Sequence, residues 1–181
     1  GVGLYTEGAG ETYFDDIEVK SNSDFEYDRP AWWWQSARTV SGTWKVAPAP
    51  GERAILNDSG PVRVTQSAKG EAMNLIGDAR WGTSILDANI VPPAKGTVGL
   101  LYDYKDAGNY RLLRLTGPAG APQSRIQFLA VSEGKASVVQ EAPGGYLPGR
   151  PNAFRLDLSE SGEAKFRLND VLELAVPREE S

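Results

Sequence analysis

The chain opens Gly1-Val-Gly-Leu-Tyr-Thr-Glu-Gly-Ala-Gly-Glu-Thr-Tyr-Phe-Asp-Asp-Ile-Glu-Val-Lys20, and the reading of this stretch decides the fold. Val2, Leu4 and Thr6 alternate along a first strand. Gly8-Ala9-Gly10 supplies a turn, and Thr12 to Val19 returns as a second strand. The expectation is a β-hairpin over residues 1–20.

The rest of the chain agrees with an all-β reading. Among 181 residues, 20 Gly and 12 Pro punctuate short apolar runs, and helix-period patterns are hard to find. At 40% hydrophobic content the chain can build a core, so it is no disordered segment. Its length suits one domain, or one domain plus an arm. The net charge of −5 comes without a basic stripe, which argues against nucleic acid as a partner. No apolar run is long enough to span a bilayer as a helix. The lack of Cys removes any disulfide framework or thiolate metal site. The stretch has no initiator Met and no signal peptide. It reads as a processed product or as one unit cut from something longer.

After the opening strands, residues 21–30 are polar and acidic and read as a linker. The main body, 31–181, begins with Pro30-Ala-Trp-Trp-Trp-Gln-Ser36 and Ser41-Gly-Thr-Trp-Lys-Val46. Strands are expected at Arg53–Leu56, Val62–Gln66, Trp81–Val91, Gly96–Tyr104, Asn109–Leu115, Arg125–Ser132 and Ala136–Glu141. Three more are expected at Asn152–Ser159, Gly162–Leu168 and Val171–Val176. Phe154-Arg-Leu-Asp-Leu158 and Ala164-Lys-Phe-Arg-Leu168 alternate cleanly. Asn169-Asp170 reads as a tight turn. The segment Ala142 to Pro151 cannot be strand interior, because its three prolines lack donors.

Several of these segments resemble concanavalin A-like (laminin-G-like) jelly-roll domains. Gly1-Val-Gly-Leu-Tyr-Thr6 with Tyr13-Phe-Asp-Asp-Ile-x-Val19 is similar to the last two strands of that family. Asp24, Phe25, Trp34, Gly42, Trp44 and Val46 match its beginning in order, which puts the start of the main domain near Ser23. Val98 to Tyr104 and Asn109 to Leu115 resemble its middle. The resemblance implies a two-sheet jelly-roll sandwich, in rotated order. Residues 31–181 then form a sandwich lacking its last two strands, and the missing pair stands at the front. Joining Ser181 to Gly1 reads without a seam.

Three arrangements are open. The chain is one period of a tandem array, or its opening strands complete a neighbouring subunit in a filament, or the domain is permuted and the strands fold back on their own body. The driver is common to all three: a sandwich without its last strands exposes unpaired edge groups and an apolar face. Strand donation to such an edge is a known recognition mode. Val2, Leu4, Tyr13, Phe14, Ile17 and Val19 are the candidate assembly residues, and the partners are other copies of the chain.

The chemistry is sparse. With no His and no Cys, the commonest general base, the Ser-His-Asp triad and the usual zinc ligands are all missing. Glycoside hydrolysis needs only two carboxylates. The Glu-x-Asp-x-x-Glu strand that the resemblance would imply for a glucanase is not found, and the nearest acidic spacing, Asp103 with Asp106, sits in a turn. A glycoside hydrolase-like domain is the remote alternative; the expectation is a non-enzyme. The resemblance also implies a calcium site, for which Asp15, Asp16, Asp24 and Glu26 are candidates. The competing reading makes these carboxylates solubilising charges on a strand edge. Trp32, Trp33 and Trp34 cannot all face one side of an extended segment. Trp32, Trp33, Tyr102 and Tyr104 are therefore candidate aromatics for a glycan or an interface, with Trp34 and Trp44 as core.

The sequence thus suggests an extracellular or cell-surface structural or adhesive unit, assembling by strand donation across a repeat boundary. A carbohydrate-binding module is the alternative.

Overall fold

A computed structural model describes residues 2–8, 11–21, 38–48, 62–66, 70–76, 84–158 and 162–178. Among the described residues there are fourteen strands, beginning with β1 (Val2–Gly8), β2 (Thr12–Ser21), β3 (Arg38–Ser41), β4 (Trp44–Pro48), β5 (Val62–Gln66), β6 (Gly70–Ile76) and β7 (Ser84–Val91). The second half adds β8 (Thr97–Asp106), β9 (Asn109–Leu115), β10 (Arg125–Ser132), β11 (Lys135–Pro143), β12 (Asn152–Asp157), β13 (Glu163–Leu168) and β14 (Val171–Pro177). They form two antiparallel seven-stranded sheets. Sheet A runs β11-β10-β9-β8-β1-β6-β3 and sheet B runs β14-β13-β12-β7-β2-β5-β4. No helix among the described residues is long and apolar enough to cross a membrane.

The opening stretch corrects the first expectation. β1 and β2 do not pair with each other. β1 lies between β6 and β8 in sheet A, and β2 lies between β5 and β7 in sheet B. The segment is an arch that crosses from one sheet to the other. The reason lies in the side chains. Val2 and Leu4 on β1, and Phe14 and Ile17 on β2, bury into one common core. Two strands that share a core across a sandwich face each other through side chains, about 10 Å apart, and cannot also be hydrogen-bonded neighbours.

Phe14 and Ile17 are three residues apart, so strict alternation would send them to opposite faces. A register shift between Asp15 and Glu18 against β7 resolves this. One extra residue there turns Ile17 back toward the core.

The core between the sheets is filled by alternate residues of each strand, among them Leu100, Leu113 and Phe128 from sheet A and Leu86, Ile90, Phe154 and Phe166 from sheet B. Phe154 and Phe166 pack with ring centroids 5.4 Å apart. Trp44 is half-buried against this core, 5.8 Å from the Phe14 ring, with its indole N–H donating to the Ser41 carbonyl at 2.8 Å. The outward-facing residues of sheet A form a second apolar cluster: Tyr5, Met73, Leu101, Tyr104, Tyr110, Leu112, Leu129 and Val131. Sheet A is therefore apolar on both faces at its centre, and β1 is buried continuously from Val2 to Thr6.

Of the expected strands, Val62–Gln66, Asn109–Leu115 and Arg125–Ser132 keep those limits. Arg53–Leu56 lies outside the described residues. β3, β4 and β6 fall outside the expected set. Asn169 and Asp170 have φ of 50° and 67°, as a two-residue hairpin turn between β13 and β14 requires.

Among the described residues, an ion pair between Arg178 and Asp103 ties the sheets together. Asp103, on β8, receives two bonds from Arg178, just beyond β14, at 2.6 and 3.0 Å. Both side chains are largely buried, with 15% and 13% exposure for Arg178 and Asp103. Arg178→Ala leaves the Asp103 carboxylate largely buried without its guanidinium, which should cost about 2–3 kcal/mol. Denaturant titration reads this as a lower midpoint at unchanged slope.

Candidate assembly site

The site is the double groove that receives residues 2–21. In sheet A its walls are β6 and β8. Gly3 pairs with Leu75 on one side and Leu101 on the other, and Tyr5 with Met73 and Gly99. In sheet B the walls are β5 and β7, with Phe14 opposite Val64 and Ile90. Without this segment each sheet would be split into four strands and two.

Gly3 is fixed by space. A Cβ there would fall on the Asn74 carbonyl oxygen of β6. The neighbouring strand must approach at this point, which only Gly allows. Leu4 and Phe14 are fully buried, and Val2 and Ile17 nearly so. Tyr13 is half-buried at the other end of the arch, its hydroxyl donating to the Glu11 carboxylate. Val19 lies in β2 opposite Leu86; its side chain is outside what is described.

Tyr5 closes the outer side. Its hydroxyl donates to Glu7 at 3.0 Å and lies 3.4 Å from Glu71. Glu7 and Glu71 are directly opposite each other on β1 and β6, a pairing of like charges that the shared hydroxyl offsets. Burial pushes the Tyr5 phenol far above its ordinary range, and the Glu7 and Glu71 carboxylates push it further. Burial, aided by Asp103, does the same to Tyr102.

In the unfolded chain a tyrosine ionises near pH ~10. Stabilisation by the neutral buried phenols is complete below that pH and is lost above it. The loss is about 1.4 kcal/mol per pH unit for each such tyrosine. The denaturation midpoint should therefore fall steeply between about pH 10 and 11.5, and Tyr5→Phe should flatten the fall. A midpoint independent of pH in this window would contradict the burial of these hydroxyls.

The candidate aromatics divide. Trp32 and Trp33 lie outside the described residues. Tyr102 and Tyr104 lie on opposite faces of sheet A. A register shift between Tyr102 and Asp106, with Asp103 at φ 47°, sends them to opposite sides of sheet A. Tyr102 enters the main core, edge-on to Phe128 at 6.0 Å. Tyr104 stacks on Tyr110 at 6.0 Å, with the Arg38 guanidinium 5.8 Å above its ring. Tyr102 and Tyr104 are both buried within the chain.

Of the calcium candidates, Asp15 and Asp16 lie in β2, with their side chains outside what is described; Asp24 and Glu26 lie wholly outside. Among the described residues no group of three or more His, Cys, Asp or Glu side chains gathers to hold a metal.

At the pole opposite Arg178 is a shallow recess of about 400 Å³. Glu11, Tyr13, Val91, Pro92, Pro93, Ala94, Pro148 and Gly149 line it. Sequence reasoning does not single it out, because its walls come from three separate segments. Gly149 N–H donates to the Pro92 carbonyl at 2.9 Å. The fully buried Asn152 side chain holds the loop behind it through Leu147, Arg150 and Ile90.

Compared with known proteins, the chain matches no family model, no curated protein and no solved structure. Its class is thus given by its own architecture: an all-β, two-sheet antiparallel sandwich.

Proposed function

We propose that this chain is a non-enzymatic structural or adhesive unit, built as a concanavalin A-like jelly roll and working outside the cell. It assembles into a tandem array or filament when the opening strands of one copy complete the sandwich of another. The observation that carries this reading is the position of residues 2–21: they are fifth of seven strands in both sheets and hydrogen-bonded on both sides, so each sheet depends on this one continuous segment. A segment so placed can be supplied by its own chain or by a second copy with the same contacts, which is the condition for strand exchange.

At one outer edge of each sheet, β11 and β14, the backbone favours exchange over simple edge addition. β11 carries a bulge near Val139, where Phe128 and Leu129 change register. β14 carries one near Glu173, where Phe166 and Arg167 do the same. Bulges of this kind blunt an edge against pairing with a further strand.

The test is a mixing experiment. A tagged chain lacking residues 1–20 should capture the full chain at high concentration. It should fail to capture a full chain carrying Leu4→Asp, whose segment cannot enter the core. Equal capture of both would rule out exchange through these strands.

A second reading, carbohydrate binding, draws on the recess at Tyr13. A half-buried tyrosine face, three prolines and one carboxylate suit the apolar side and hydroxyls of a sugar ring. Glycan-array binding abolished by Tyr13→Ala would support it; binding indifferent to that change would remove this site.

A further inference from the structure

Among the described residues five large aliphatic side chains stand exposed, and four of them share one flank of the sandwich. Val138 and Val139 lie on β11, Val171 and Leu172 on β14, and their exposures run from 45% to 59%. β11 is the first strand of sheet A and β14 the first of sheet B, and the two approach each other along one side of the molecule. Single exposed aliphatics are ordinary, but four on adjoining strands mark a contact surface. The strand directions give this flank a polarity. Ala136 pairs with Val131 and Val131 with Tyr110, while Arg111 pairs with Tyr102. β11 therefore starts at the end of sheet A where Asp103 holds Arg178, and β14 finishes at that same pole. The two strands run in opposite directions. Lys135 stands at the Arg178 pole of the flank, the Asn169-Asp170 turn at the other, and the four aliphatics lie between them.

We propose that this flank is a side-by-side contact between two copies of the chain, related by a two-fold rotation that lays β11 of each on β14 of the other. A two-fold axis normal to the flank reverses its poles and makes the same contact twice. Val138 and Val139 of one copy then meet the partner's Leu172 and Val171. Lys135, three residues before Val138, falls at the partner's Asn169-Asp170 turn, where its ammonium meets the partner's Asp170 carboxylate. Glu141, at the far end of the run, falls toward the partner's Ala175 to Pro177, where β14 carries no carboxylate. The flank is thus complementary to itself in apolar surface and in charge, which singles out a second copy as its occupant. Side chains make the contact, since the bulges near Val139 and Glu173 keep either edge from adding a ladder. The opening segment takes no part. This surface is separate from the groove that receives residues 2–21, and it joins sandwiches sideways whether or not they exchange strands.

Sedimentation equilibrium of the 1–181 chain tests this. An apolar contact of this size belongs with weak, transient interfaces, so a reversible dimer should build up at protein concentrations of roughly 100 µM. Val139→Glu and Leu172→Arg should each weaken dimerisation at least about tenfold, because each puts an unpaired charge into both apolar contacts. Mixed in equal amounts, the two variant chains should associate again. One of their two contacts is then unaltered, and the other pairs the two introduced charges. Lys135→Glu should weaken dimerisation about threefold, and adding Asp170→Asn to it should recover most of the loss. All these positions are exposed, so the dilute variants should unfold with the midpoint of the unaltered chain. Should Val139→Glu or Leu172→Arg fail to fold, Lys135→Glu and its recovery decide. A chain that stays monomeric at that concentration, a dimer indifferent to the flank substitutions, or a mixture no more associated than its components would overturn the proposal.

Discussion

A chain lacking residues 1–20 should have no cooperative unfolding transition at room temperature. The deletion removes Val2, Leu4, Tyr5, Phe14 and Ile17, all buried. Five such side chains at about 2 kcal/mol each amount to roughly 10 kcal/mol, comparable with the whole stability of a typical domain. It also opens the inner edges of β5, β6, β7 and β8, leaving ladder groups unpaired. Far-UV circular dichroism should retain some strand signal while near-UV bands collapse. Adding a synthetic 1–21 peptide should restore a cooperative transition. A truncated chain that unfolds as sharply as the full one would mean that the grooves close without their occupant.

The largest point effect should come from Phe14→Ala. Phe14 is fully buried where β2 crosses the core and faces the Trp44 ring at 5.8 Å. Truncating a buried Phe to Ala costs about 3–5 kcal/mol in lost transfer energy and residual cavity. For a chain of this size that lowers the melting temperature by about 10 °C. The same substitution in the free 1–21 peptide should weaken its binding to the truncated chain by more than about a hundredfold, since each 1.4 kcal/mol is about tenfold. Scanning calorimetry and peptide titration read the two values. Equal penalties in both would mean that the segment makes the same contacts whichever chain supplies it. Val138→Thr, on exposed β11, should change neither.

Alternation and turn residues make the second half of the chain legible. Phe154, Leu156, Phe166 and Leu168 face the core as their period of two requires, and Asn169-Asp170 turns where its residue types allow positive φ. Alternation does not say which of two sheets a strand joins. That is why β1 and β2 read as a hairpin when they are the two sides of an arch. Nor does alternation foresee bulges. The extra residue between Asp15 and Glu18 keeps Phe14 and Ile17 on one face, and the irregularity after Tyr102 separates it from Tyr104. Each reverses the parity of every side chain beyond it. β6, Gly70 to Ile76, escapes a local reading because Asn74 points toward the core among apolar neighbours and breaks the pattern. Its amide reaches Thr39 at 3.3 Å, a long-range contact that no local window contains.

The central claim is that residues 2–8 form an interior strand of sheet A, in whichever chain they sit. The chain has no cysteine, so a pair introduced as Thr6→Cys and Val98→Cys is the sole thiol pair. These positions are Cα partners on β1 and β8. Cross-strand partners lie about 4.5–5.5 Å apart, within the span of a disulfide. Mild oxidation followed by peptide mapping should find the two introduced thiols joined, within one chain in dilute solution and between copies where the protein has assembled. Absence of that link under both conditions, with each thiol still reactive, would contradict the account.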